Sequence, residues 1–207
     1  MDKEKKLGLD YIIDEPYTIL ADGKNYLLEI KRQDQEVNYT YHAIPKLDKE
    51  VFLVAEFTNW RELDLLSGDL NIFYDNTYLG KSKILAEQII DTLELSVARD
   101  RDIQVKRESK KELNDKRFVG SNVKESLAYE ITVKNNKRTK ISMVLNDQVP
   151  VSEYKSVFVE LNETADAEHD EKTGVLTWKF DLEPGETKIV KYDFSIKYPK
   201  ALSYRAN

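Results

Sequence analysis

The chain has 207 residues, 38 acidic against 32 basic with a net charge of −6, and 41% hydrophobic side chains, enough to bury a core. The acidic balance argues against a general nucleic-acid binder, which carries a strong basic excess. With no cysteine and two histidines, disulfides, thiol nucleophiles, zinc–thiolate sites and multi-histidine metal centres are excluded.

In chain order, the charged start Met1–Lys6 has no apolar run behind it and does not read as a secretory signal. Asp22-Gly23 falls between two strand-like runs, Tyr17–Leu20 and Tyr26–Ile30, as a hairpin turn. Asp75-Asn76 separates Leu70–Tyr74 from Thr77–Ile84 in the same way, since both residues tolerate the left-handed backbone. Ser82–Ile90 reads equally as a short helix or as the end of a strand. Strict alternation begins at Leu93, Leu95 and Val97 and returns at Tyr129, Ile131 and Val133. It is clearest in Leu176, Trp178, Phe180 and Leu182, and in Val190, Tyr192, Phe194, Ile196 and Tyr198. Successive strand side chains point to opposite faces, so each run buries one face and wets the other.

Asn135-Asn136 and Glu183-Pro184-Gly185-Glu186 read as turns, the latter of type II with Pro fixing φ and Gly taking φ > 0. Thr173-Gly174 opens the strand that holds Trp178. Two stretches lack periodicity: the charged 108–122 and the acidic 163–172. Short links between strands, together with 12 Tyr, 7 Phe and 2 Trp, point to an all-β, mostly antiparallel sandwich. The expected organisation is two packed β units, 10–110 and an immunoglobulin-like 120–200, with the boundary within 108–122. The alternative is one continuous sheet with a long hairpin from Ile103–Arg107 to Leu127–Lys134. No stretch reaches the roughly 20 apolar residues of a membrane-spanning helix.

Asp91–Asp100 with Asp102–Arg107, Asn146–Ser152, Gly174–Trp178, Leu182–Glu186 and Tyr198–Lys200 stand in a characteristic order and spacing. Taken together these runs resemble the C-terminal β domain of the mucoidy inhibitor A (MuiA) family. Upstream, Tyr41–Pro45, Leu65–Gly68 and Thr77–Ser82 complete the order, so that the likeness runs from about Tyr17 to Lys200. The chain departs from the pattern at Val97-Ala98, where relatives have Leu-Gly, and at Leu66-Ser67-Gly68, where they have Leu-Pro-Gly. The resemblance implies a domain of unknown function, with no catalytic or ligand residues to carry over. It also implies a further domain and a coiled coil upstream and a place in the cell envelope, so this chain looks like the C-terminal part of a longer polypeptide or an unusually short member.

Candidate chemistry is sparse. His169 lies in the acidic run Asp166–Glu171, which lacks a calcium-loop pattern and reads as a solvated loop. His42, within Tyr39–Ile44, would need a Ser or Thr within reach and a third orienting group to act as a base; nothing in the sequence places them together, and it reads as a packed or half-exposed sheet histidine. Asp91, Asp100 and Asp102 form a possible carboxylate set, but they also suit turn-forming and ion-pairing roles. Asp147 and Gln148 precede a strand-ending Pro150. The basic residues between Lys110 and Arg117 are interleaved with acids and read as a solvated loop. Trp178 belongs to the core, whereas Trp60, Tyr39 and Tyr41 are candidates for an exposed aromatic platform.

The expectation is therefore a non-catalytic β-sandwich interaction module with no catalytic, cofactor or metal residues. Its partners would be upstream segments of a longer parent chain or other envelope proteins, with no nucleic acid. The alternative is a carbohydrate-binding module using exposed aromatics, and an exopolysaccharide-processing enzyme is a remote third reading.

Overall fold

A computed structural model describes residues 16–58, 60–63, 65–74, 76–85 and 92–202. The chain divides into two compact units at Glu36/Val37. In the first, residues 16–36 form no ladder, only a bend at 21–23 where Gly23 takes φ 73°. The strands expected at Tyr17–Leu20 and Tyr26–Ile30 are not formed; an isolated two-stranded hairpin is marginal in water. Side-chain contacts hold the bend instead. Tyr26 Oη donates to Asp22 Oδ2 at 3.0 Å and Arg32 makes a paired contact with Glu29 at 2.8 and 2.9 Å.

The second unit is all-β, with strands β1 (Asn38–Ala43), β2 (Phe52–Phe57), β3 (Gly68–Tyr74), β4 (Thr77–Ile84), β5 (Leu93–Arg99), β6 (Ile103–Ser109), β7 (Asp115–Val119), β8 (Asn122–Asn135), β9 (Ile141–Gln148), β10 (Phe158–Glu163), β11 (Glu168–Asp170), β12 (Val175–Leu182) and β13 (Thr187–Pro199). A 3-10 turn spans Trp60–Leu63. One sheet has the order β11-β12-β9-β1-β2-β5, a second β10-β13-β8-β6 with β7 also on β8, and β3-β4 form a separate hairpin. No helix among the described residues is long and apolar enough to cross a membrane.

The two large sheets share one core. Leu145, Leu176, Trp178 and Leu182 from the first meet Ile131, Val133, Val190, Tyr192 and Ile196 from the second. Every apolar residue of the β13 alternation, from Val190 to Tyr198, is buried, while Lys191 and Lys197 between them are exposed. Each such large side chain contributes about 1.5–3 kcal/mol by leaving water. Ring packing adds order: Tyr192 stacks on Tyr129 at 5.4 Å and meets Trp178 of the opposite sheet at 5.8 Å.

The expected division into two β units needs correction. Segment 108–122 does not separate two units, because β6, β7 and β8 are neighbours in one sheet, with Asp115–Val119 paired to Asn122–Ser126. The N-terminal strands also complete the C-terminal sheet: β1 runs parallel to β9 through Tyr41↔Met143 and Ala43↔Leu145, the parallel pair in an otherwise antiparallel set. Strand β13 is paired on both sides, to β8 and β10. Of Ser82–Ile90, read equally as short helix or strand end, the part as far as Ile84 is strand, and residues 86–90 lie outside the described set.

Turn chemistry follows the sequence closely. Asn76 takes φ 58° in the β3–β4 turn, Gly185 takes φ 76°, and the Glu186 amide donates to the Glu183 carbonyl at 3.0 Å. Asn135 is fully buried, and its amide nitrogen reaches the carbonyls of Thr139, Leu182 and Glu183 at 3.0–3.1 Å. It thereby ties the end of β8 to the β12–β13 turn.

Candidate functional site

The outward face of the first sheet carries a groove of about 700 Å³ between β5 and β12. Thr40 and His42, two residues apart on β1, share this face, as strand geometry requires. Glu56 sits diagonally across on β2, where the register pairs Asn38 with Glu56 and Thr40 with Val54. Thr40 Oγ1 lies 2.7 Å from Glu56 Oε1 and 2.8 Å from His42 Nε2, with His42 Nε2 3.7 Å from the same carboxylate oxygen. The structure thus brings a hydroxyl and an acid to His42, a grouping the sequence did not reveal. The available signal was the i, i+2 spacing of Thr40 and His42; Glu56 needed the strand register.

Thr40 Oγ1 and His42 Nε2 are within hydrogen-bond distance, with the donor set by the imidazole tautomer. The Glu56 carboxylate is placed to accept the hydroxyl proton. At the far side of the groove, Asp181 accepts from Ser142 at 2.8 Å and pairs with Lys140 at 2.9 Å. The hydrogen bond from Lys140 holds the Asp181 carboxyl below its ordinary value.

A second polar group lies between the sheets. Arg107 on β6 donates from Nε to Asp147 Oδ2 at 2.7 Å and from Nη2 to Tyr192 Oη at 2.8 Å, and its guanidinium lies 3.9 Å from the centre of the Tyr129 ring. Asp147 Oδ1 accepts from the Gln148 amide at 2.7 Å. Burial opposes the Arg107 charge, but Tyr192 and Asp147 outweigh it and hold the guanidinium above its ordinary range. Burial pushes the Tyr192 hydroxyl well above the usual tyrosine value. The group is closed, with each charge answered by its neighbours.

A family model described as a domain of unknown function, DUF4139, matches residues 2–200. The chain belongs to the DUF4139 family. It is also similar to Protein F37C4.5 of Caenorhabditis elegans, 19% identical over 216 residues that cover 98% of this chain and 39% of the worm protein. The DUF4139 chain therefore spans about two fifths of the length of that relative. No solved structure matches it.

The remaining candidates in this DUF4139 chain do not converge. Asp91 lies outside the described residues. Asp100 accepts from the Asp102 amide at 2.9 Å and from Lys137 Nζ at 2.6 Å, which is a turn and an ion pair. His169 sits in the three-residue β11, paired to Leu176, and among the described residues no cluster of three or more His, Asp or Glu side chains suits a metal ion. Gln148 is held by structure too, donating from Nε2 to the Thr173 carbonyl at 2.8 Å. Lys110 pairs with Glu130 at 2.8 Å, Lys116 with Glu125 at 2.5 Å and Arg117 with Asp115.

The aromatic platform also fails to form. Trp60 is buried and Tyr41 packs against the core, leaving Tyr39 exposed. Exposed aromatics gather elsewhere, on the β3–β4 hairpin, where Phe73, Tyr74 and Tyr78 all lie open. The Phe73 and Tyr78 rings are 5.3 Å apart and tilted by 57°.

Proposed function

We propose that this DUF4139 chain is a non-catalytic β-sandwich interaction module of a cell-envelope protein of the mucoidy-inhibitor type. Its partners are upstream segments of a longer parent chain or other envelope proteins. The observation that carries this reading is the β3–β4 hairpin, a two-stranded sheet whose Phe73 is 64% exposed and whose Tyr74 and Tyr78 are each 50% exposed. Clustered exposed aromatics are the usual anchors of protein contacts. The worm relative, with much further chain outside the matched region, supports attachment to a longer polypeptide.

Carbohydrate binding is the second reading, favoured by those same aromatics, but the 57° tilt between Phe73 and Tyr78 offers no flat stacking surface. Purified protein assayed on polysaccharide, peptide and ester substrates is expected to show no turnover dependent on Thr40, His42 or Glu56. Turnover abolished by Thr40→Val or Glu56→Gln overturns the module reading. A glycan array at millimolar ligand tests the alternative, which requires binding that Tyr74→Ala removes.

A further inference from the structure

Among the described residues, strand β10 is an outer edge of the second sheet, paired to β13. Within residues 158–163 the pairing is regular from Phe158 to Leu161, with a bulge only at its end, between Leu161 and Glu163. Sheet edges are normally guarded by charged side chains, lysine above all, by prolines or by bulges. Strand β6, at the opposite edge, has Lys106. The run FVELNE of β10 has neither lysine nor proline, and its charges, Glu160 and Glu163, are acidic.

Beside this edge lies a groove of about 600 Å³ in which apolar side chains, Val151 and Phe158 among them, alternate with the polar Ser152, Thr164, His169 and Glu171. Val151 is 51% exposed and Phe158 61% exposed. A free edge next to a groove of mixed character is the geometry of strand addition, in which backbone hydrogen bonds supply affinity and alternate side chains fill pockets. The charge around it selects the occupant. Between Val149 and Lys172 stand seven carboxylates (Glu153, Glu160, Glu163, Asp166, Glu168, Asp170 and Glu171) against two lysines, Lys155 and Lys172. A second copy of the chain would bring the same acidic edge against itself.

We infer that β10 and its groove bind an extended peptide segment of alternating apolar and basic residues by β-strand addition. This deepens the interaction-module reading and rests on it. The apolar side chains of the segment enter the groove at Val151 and Phe158, and its basic side chains face the carboxylates flanking β10.

The probe is a capped octapeptide of alternating lysine and valine, titrated into the full chain and followed by amide NMR and hydrogen exchange. Binding is expected to protect amides within residues 158–163. A glutamate–valine octapeptide is expected to bind at least tenfold more weakly. The lysine–valine peptide N-methylated at its six central residues keeps its charge but loses its amide donors, and the same tenfold loss is expected. The double variant Val151→Ser/Phe158→Ser, at two exposed positions, is expected to melt like the parent and bind at least tenfold more weakly. Equal binding of the methylated peptide, unchanged affinity of the double variant, protection at another edge, or self-association through β10 without peptide each overturns the inference. Absence of binding together with absence of turnover removes strand addition alone, whereas Thr40-dependent turnover removes the module reading.

Discussion

Arg107 Nε and Asp147 Oδ2 meet at 2.7 Å across the interior of the sandwich, one residue from each large sheet. The Asp147 side chain is fully buried and that of Arg107 is 21% exposed. Removing one partner of such a pair leaves an uncompensated buried charge, while replacing both with apolar groups of similar volume is often close to neutral. Arg107→Met is therefore expected to cost about 3–5 kcal/mol in urea unfolding. The double variant Arg107→Met/Asp147→Leu is expected to recover most of that loss. Equal destabilisation in the single and double variants would show that the pair does not act as a unit.

Trp178 illustrates a residue whose role was readable from its neighbours. It is 4% exposed, at an inward position of β12, and its indole nitrogen donates to the carbonyls of Thr164 and Ala165 at 2.8 and 3.1 Å. Trp178→Ala is expected to cost about 3–5 kcal/mol, combining lost burial with a cavity. Trp178→Phe keeps most of the volume but strands those acceptors, and about 1–2 kcal/mol is expected for that part. A melting curve within a few degrees of the parent for the alanine variant would contradict the core placement.

The same contrast explains how far the sequence reaches. Alternation assigns faces, so β12 and β13 were legible residue by residue. It does not assign partners or register, so the parallel pairing of β1 with β9 and the meeting of Thr40 with Glu56 were hidden. Strand β7 was missed because all five of its residues are exposed and no apolar face marks it. The buried ion pair did leave a trace. Arg107 follows Ile103 and Val105 in the inward phase of β6, and Asp147 follows Ile141, Met143 and Leu145 in that of β9. Two opposite charges in the inward phase of two strands are evidence for a cross-sheet pair. Ala98 stands where relatives of the resembled family carry glycine, and it is not among the residues with positive φ.

Stability should respond to acid through Asp100. Burial pushes its carboxyl up, but Lys137 and the Asp102 amide donate to it and hold it below its ordinary 3.8. Lys137 is raised, chiefly by its hydrogen bond to Asp100. A lowered carboxyl contributes stability that is present above its unfolded value and lost as pH falls through the folded one. The raised lysine contributes below its unfolded value and loses that contribution as pH rises through the folded one. Across neutral pH both contributions are present. The melting temperature of Asp100→Asn is expected to lie below that of the parent by a constant amount between roughly pH 5 and 8. The gap should close as the pH falls below about 4. A gap that persists at about pH 2 would mean that the carboxylate charge is not what stabilises the turn.

Two glycines at the same backbone angle separate conformational strain from crowding. Gly174 takes φ 73° and Gly185 takes φ 76°, so alanine at either position meets the left-handed penalty of about 1–2 kcal/mol. Their surroundings differ. A Cβ on Gly185 meets nothing within 4 Å, whereas one on Gly174 falls 2.2 Å from the Val149 carbonyl oxygen and 3.0 Å from Val151 Cγ1. That carbonyl belongs to the backbone leaving β9, and the Val149 amide donates to the Gly174 carbonyl at 2.9 Å, so relieving the clash breaks the closure of the β9–β12 ladder. Gly185→Ala is expected to lose about 1–2 kcal/mol and keep its native amide spectrum. Gly174→Ala is expected to lose clearly more and to shift the resonances of 149–151. If the two variants unfold at the same urea concentration, close approach at Gly174 is not what the chain requires there, and its glycine answers to backbone angle alone.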